Sequence, residues 1–369
     1  MGRFVYFFFF IAFYVFSPSV GVAKEISILV AGDVYLGSSA IEYTKKFGPS
    51  YPFGDTESLI KGADVAIANL ESPLTKAKVP FMEKQFILKA RTSGARGLKD
   101  AGFDVVTLAN NHMMDYGAEG LDETLKTLSS IDMPYCGAGK NLKESRRPAI
   151  VEVNGVKIAV LSYSRTYPLE FYASKKRAGT APAYESYIEE DIRAAAKAVD
   201  IVVVAFHWGG ERVREPRQYQ RDLGRLAIES GAKLVIGHHP HIMQGVETYK
   251  GGLILYSLGN FVFGFYGSNT VEGLLAKAVF EEEGGAWNVT YADLVPIDVN
   301  NRRVFFKPKA FEGDSFREAI NKVMNLSKDF DARFDVELGR VWVKGGHSEE
   351  AEMVKKSAFS HNDGLSTAQ

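Results

Sequence analysis

Five of the chain's seven histidines stand directly after short apolar runs. Three lie in Gly237-His238-His239-Pro240-His241, behind the apolar stretch 233–236, and His112 and His207 follow similar runs. Imidazole is the commonest metal ligand at neutral pH. An open α/β sheet binds its ligands at the carboxyl ends of its strands, where these histidines fall. Other polar residues stand at equivalent points: Asp33, Asn69, Glu71, Asn111 and Asn260. Carboxylate, carboxamide and imidazole together suit a borderline divalent metal such as Mn, Fe or Zn. Cys136 is the sole cysteine, so no disulfide can form within the chain and a metal site must use oxygen and nitrogen. Two metals sharing such a ligand set can clamp both oxygens of a displacement at phosphorus or an acyl carbon.

Each motif has a plainer reading. Gly32-Asp33 can be a turn, Asn69 and Glu71 can cap the next segment, and His207 beside Trp208 can be a core histidine. Asn110-Asn111-His112 is more specific, because two amides and an imidazole between an apolar run and Asp115-Tyr116-Gly117 contribute little to packing. His239-Pro240-His241 is the most specific, since His-x-His on a turn can aim both rings at one point. All of these features fall at one topological edge.

The elements that must position these residues are legible as apolar runs of four to eight residues between turn signals, which read as buried strands. They cover 26–31, 64–68, 103–109, 157–162, 200–206, 233–236 and 253–258. Apolar residues at three-to-four spacing predict helices over 93–101, 118–130, 186–199 and 217–230, with Gly231 as a stop. This alternation predicts an α/β fold. Segment 274–309 reads as antiparallel strands added late, and 311–326 as a helix.

The N-terminus differs in kind. Arg3 precedes thirteen apolar residues, Phe4 to Phe16, then Ser17-Pro18 and the small-residue segment Gly21-Val22-Ala23. That is the plan of a secretory signal peptide over 1–23, too short for the roughly 20 apolar residues of a bilayer span. The expectation is an exported protein on the periplasmic or extracellular face of the envelope, membrane-anchored if the segment is retained. One domain is expected over 24–345 and a polar tail over 346–369. A net charge of −1 gives no case for nucleic acid as a partner. Lys175-Lys176-Arg177 reads as a solvated loop, with an anion-holding loop as the alternative. Lys84, Lys89 and Arg91 are cations whose direction the sequence does not fix.

Six ordered blocks carry a resemblance to a known family. They are Gly32-Asp33-Val34-Tyr35-Leu36-Gly37; Ala68-Asn69-Leu70-Glu71; Leu108 to His112 with Asp115 and Gly117; His207-Trp208-Gly209 with Glu211; Gly237 to His241 with Gln244 and Glu247; and Tyr256 to Phe261. The chain resembles the CapA family of capsule and poly-γ-glutamate synthesis, a branch of the calcineurin-like metallophosphoesterase superfamily. The resemblance implies a four-layer α/β/β/α sandwich with one or two divalent ions at the sheet edge. It implies Asp33, Asn69 or Glu71, Asn111, His207, His239 and His241 as metal ligands, with His238 able to replace His239. Asp33 and His112 would be catalytic, and His238, Glu211 and Asn260 would touch substrate. An anionic envelope or capsule polymer and a membrane-bound capsule synthase are the implied partners. Two departures from the superfamily, Tyr35 in place of a histidine and Asn69-Leu70-Glu71 in place of Gly-Asp-x-x-Asp, leave one and two metals both open. They also leave open a hydrolase of phosphoesters or amides and a non-catalytic assembly factor.

Overall fold

The computed structural model describes residues 24–266 and 270–343. The expected signal segment and polar tail lie outside these residues. Among the described residues no helix is long and apolar enough to cross a membrane.

Period-2 alternation builds the molecule. In the first strand, Glu25–Tyr35, Ile26, Ile28 and Val30 join one apolar cluster while Leu29 and Ala31 join another. In the strand Ile201–His207, Ile201, Val203 and Ala205 join that same first cluster, while Val202, Val204 and Phe206 join a third. The shared cluster is therefore the filling between two sheets, and the other two lie on their outer faces.

The larger sheet has ten strands. Its parallel half runs Glu25–Tyr35, Val65–Leu70, Val105–Thr107, Tyr135–Cys136. On the other side of the first strand, Glu272–Glu283 and then Ala286–Asp298 add antiparallel, as the late strand-like segment predicts. The six-stranded sheet holds Val156–Ser164, Ile201–His207, Leu234–His238 and Gly252–Leu255 in parallel, with antiparallel edges at Ala149–Val153 and Val246–Tyr249.

Helices cover both outer faces. Ser93–Ala101 and Gly117–Ser129 bury Leu98, Leu121, Leu125 and Leu128 on the larger sheet. Glu185–Ala196 and Gln218–Ser230 bury Ile188, Ile192, Leu223 and Ala227 on the smaller. The result is the four-layer α/β/β/α sandwich. The helix Gly313–Leu326 instead sends Ile320 and Val323 into the filling between the sheets. Boundaries differ from the sequence reading in two instructive places. The 103–109 run is a strand only over Val105–Thr107, because Leu108 and Asn110 already form a turn. The first strand does not stop at Ala31; Gly32-Asp33 continues it to Tyr35.

Candidate metal centre

The same alternation that fills the core points the polar residues. His207 shares parity with Ile201, Val203 and Ala205, and His238 with Leu234 and Ile236. Asn69 shares parity with Val65 and Ile67. All three side chains stand on the facing sides of the two sheets, at the carboxyl ends of their strands. Asp33 has the wrong parity in a regular strand. A β-bulge corrects it: Val30 pairs with Ile67 but Asp33 pairs with Asn69, so the first strand carries one extra residue between these pairs. One extra residue reverses every following side chain. Asp33 turns inward and Val34 joins the outer cluster.

Two glycines allow this crowding. A Cβ on Gly32 would lie 2.1 Å from the Gly259 carbonyl oxygen, and one on Gly237 would lie 1.8 Å from that of Tyr256. The first close approach lets Gly259-Asn260 run alongside Asp33, whose amide donates to Gly259 O at 3.0 Å. After Gly237 the chain turns sharply. His239 and His241 hold φ of 95° and 58°. Each such non-glycine conformation costs about 1–3 kcal/mol and concentrates at functional sites.

Asp33 is fully buried and accepts from Asn69 Nδ2 at 2.8 Å and the His239 amide at 3.2 Å. His238 Nδ1 lies 3.2 Å from its Oδ1, and His241 Nδ1 3.2 Å from its Oδ2. Burial works to raise the Asp33 pKa, but hydrogen bonds and charge from His238 and His241 hold it well below the usual carboxylate range. Glu71 is equally buried, and neither of its oxygens has a hydrogen-bond partner. Burial, reinforced by the charge of Asp33, pushes its carboxyl well up. His207 Nε2 and His241 Nε2 stand 3.6 and 3.7 Å from Glu71 Oε1. Burial would depress His241, but the charges of Glu71 and Asp33 lift it to about 9. His239, also buried, falls to about 3, and its Nδ1 has no partner.

Two groups could each hold an ion. Ligand atoms of Glu71, His207 and His239 lie within 4.8 Å of one another, as do those of Asp33, Glu71 and His241. Glu71 belongs to both. Buried polar atoms are rarely left unpartnered unless an ion or water completes them. The bare Glu71 oxygens and His239 Nδ1, in a set of hard and borderline donors, therefore fit a divalent cation.

Other expected residues surround this pair. Asn111 Oδ1 lies 2.8 Å from His207 Nε2, in position to share an ion with it. The Asn69 oxygen faces Asn110 Nδ2 (3.2 Å) and Thr107 Oγ1 (3.4 Å), away from the centre, while its nitrogen reaches Asp33 and, at 3.4 Å, His207 Nδ1. Asn69 thus orients two neighbours. His239, not His238, enters a candidate group; His238 is 2% exposed and packs against Asp33 without lining the cleft, where a substrate contact was expected. Asn260 touches His241 Nδ1 at 2.9 Å and lines the cleft, as does Glu211. Tyr35, in the place of the missing histidine, is buried against Phe263 and Phe265.

His112 is buried at the cleft floor, and its pKa is lowered by that burial. Its Nδ1 lies 2.7 Å from Asp115 Oδ2, which leaves Nε2 for the cleft. Lys84 Nζ donates to Asp115 Oδ1 and to Asn111 O, both at 2.6 Å, and stands 3.2 Å from His112 Nδ1. Sequence reasoning noticed Lys84 without a direction, because it sits in a long segment lacking regular periodicity. Lys175, Lys176 and Arg177 are exposed, and Arg177 ties back to the Tyr172 carbonyl at 3.0 Å.

Two facing sheets between helices, with carboxylate, amide and imidazole gathered at one shared edge, define a four-layer α/β/β/α sandwich with candidate metal sites. The chain belongs to the family of bacterial capsule synthesis protein PGA_cap, whose family model matches residues 27–265. It is 32% identical over 328 residues to "PGA biosynthesis protein CapA" of Bacillus subtilis (strain 168), covering 88% of this chain and 84% of that protein. It is 29% identical over 340 residues to "Capsule biosynthesis protein CapA" of Bacillus anthracis, covering 90% and 81%. Among solved structures it is similar to the calcineurin-like phosphoesterase YfkN from Bacillus subtilis, with a TM-score of 0.49, 16% identity and coverage of 82% and 98%.

Proposed function

We propose that this protein is an exported metal-dependent hydrolase that cuts a phosphoester or amide bond in an anionic envelope or capsule polymer, working beside a membrane-bound synthase. The observation that carries this reading is Glu71, a buried carboxylate with two unpartnered oxygens shared by two histidine-containing groups. Asp33, Glu71, Asn111, His207, His239 and His241 would hold one or two ions of Mn, Fe or Zn. Such ions polarise a phosphoryl or acyl oxygen and acidify water at neutral pH.

The chain's own residues supply the rest. Asn69 fixes Asp33 by its amide nitrogen. Asp115 fixes the His112 ring through Nδ1 and works against the burial that lowers its pKa, so Nε2 can deliver a proton to the leaving atom. Lys84 balances the charge of Asp115. Export is supported by the sequence of residues 1–23, and the polymer by the names of the relatives.

Those names also favour a second reading, a non-catalytic factor that binds the polymer for assembly or export. One experiment separates the two. Protein lacking residues 1–23 is assayed for metal and for turnover of phosphoesters and γ-glutamyl amides, alongside His112→Ala. The hydrolase reading expects metal in both proteins and turnover in the first alone; turnover unaffected by His112→Ala removes the mechanism.

A further inference from the structure

Two cavities flank the metal centre and meet at Glu211. One, of about 280 Å³, has His112 and His241 at its floor and Phe86, Phe263 and Phe265 along its wall. The other, of about 630 Å³, has Asn111 and His239 at its inner end and Arg165, Arg217, Tyr184 and Tyr219 around it. The site is therefore open on two sides, and a segment of extended chain can cross it with residues lodged on both. A dead-end pocket, suited to a terminal group, has no second arm.

The two arms differ in chemistry. The first is walled mainly by aromatic rings, and its one guanidinium, Arg212, stands next to Glu211. The second carries two guanidinium groups that no buried carboxylate neutralises. Arg165 Nη1 donates to the Ala183 carbonyl at 3.0 Å, and its guanidinium lies 5.9 Å from the Tyr219 ring centroid. Its only carboxylate neighbour among the described residues is Glu185 at 3.6 Å, whose side chain is 65% exposed. No carboxylate among the described residues pairs with Arg217. Tyr219 is itself anchored, accepting from the Gly209 amide at 2.7 Å, so it fixes the arm beside His207. Arginine presents a planar fork that matches carboxylate in bidentate fashion.

We propose that Arg165 and Arg217 form a subsite for carboxylates of the polymer on one side of the bond at the metal centre, so that the protein engages internal segments of the chain. The proposal rests on the function proposed above and specifies how the polymer lies. It also explains why the exposed tyrosine Tyr184 stands beside the cations: aromatic edges flank the chain between its charges.

The test uses fluorescent γ-linked glutamate decamer as the probe, with metal-loaded protein lacking residues 1–23. Binding is followed by anisotropy for wild type, Arg165→Gln, Arg217→Gln and the double variant. A glutamine decamer and inorganic polyphosphate serve as competitors. We expect the glutamate decamer to bind, the glutamine decamer not to compete, and each substitution to weaken binding by about tenfold or more. Unchanged affinity in the double variant overturns the subsite. So does a wild type that ignores the glutamate decamer, or that prefers polyphosphate. Metal content and phosphoester turnover are measured on the same samples: if they persist while the decamer fails to bind, the hydrolase reading stands and the subsite falls.

Discussion

His112 and Asp115 are joined through one ring nitrogen, Nδ1 to Oδ2 at 2.7 Å, and Asp115 spends its remaining contacts on Lys84 and the Leu88 amide. The imidazole is thus fixed from behind with its other nitrogen toward the cleft. The arrangement predicts a graded series. His112→Ala should lose about 10²–10⁴ of turnover while keeping its metal. Asp115→Asn, which keeps the shape but misaligns the ring, should lose less. Steady-state rates paired with metal analysis check both, and equal metal loss in either variant would reassign the pair to folding.

Glu71 makes an opposite prediction for the two states of the protein. Without metal, Glu71→Gln removes a buried carboxyl that accepts no hydrogen bond and whose ionisation burial opposes, so the variant should melt at or above wild type in chelator. With metal, wild type should gain stability as ligand saturates the site, and the variant should gain far less. Thermal melts with and without Mn or Zn decide this. Equal metal-induced shifts in the two proteins would contradict a shared-ligand role.

Cys136 offers a pH test remote from the site. Burial pushes its thiol up to about 12. The native thiol should stay neutral and unreactive at pH 8, with one thiol per chain alkylated after denaturation. The sign for stability follows. An unfolded thiol ionises near about 8.5, so above that pH the folded state holds the extra proton and stability falls as pH rises. Alkylation kinetics from pH 7 to 10 measure it.

Gly32→Ala and Gly237→Ala should each be severe. Both would drive a Cβ into a backbone carbonyl oxygen of the segment between Leu255 and Asn260. A loss of about 1–3 kcal/mol or more is expected from overpacking, with weakened metal binding because Asp33 follows Gly32 directly and His239 lies two residues after Gly237. Denaturant midpoints and metal titrations report the two effects separately.

Much of this architecture was readable in advance for a simple reason. Buried parallel strands are short apolar runs, and a polar residue that ends such a run inherits the direction of its alternation. Asn69, His207 and His238 followed that rule. Asp33 did not, because its direction depends on a bulge set by pairing with Val65–Leu70. That His239 rather than His238 enters a candidate group depends on the left-handed turn after Gly237. Lys84, Arg165 and Arg217 lie in segments or at helix ends where no periodicity aims a side chain. The helix Ala40–Phe47 was missed because only Ala40 is buried, so its apolar stripe is thin.

Asp33, Asn69 and Glu71 come from the larger sheet, whereas His207, His238, His239 and His241 come from the smaller sheet and the turn that follows it. A bound ion is then a rivet through two plates. The plates are glued by apolar packing along their length, but at this edge polar side chains replace that glue. Withdrawing the rivet frees one end of the seam while the rest stays closed, so amide exchange on removing metal should quicken first at the carboxyl ends of the central strands of both sheets together.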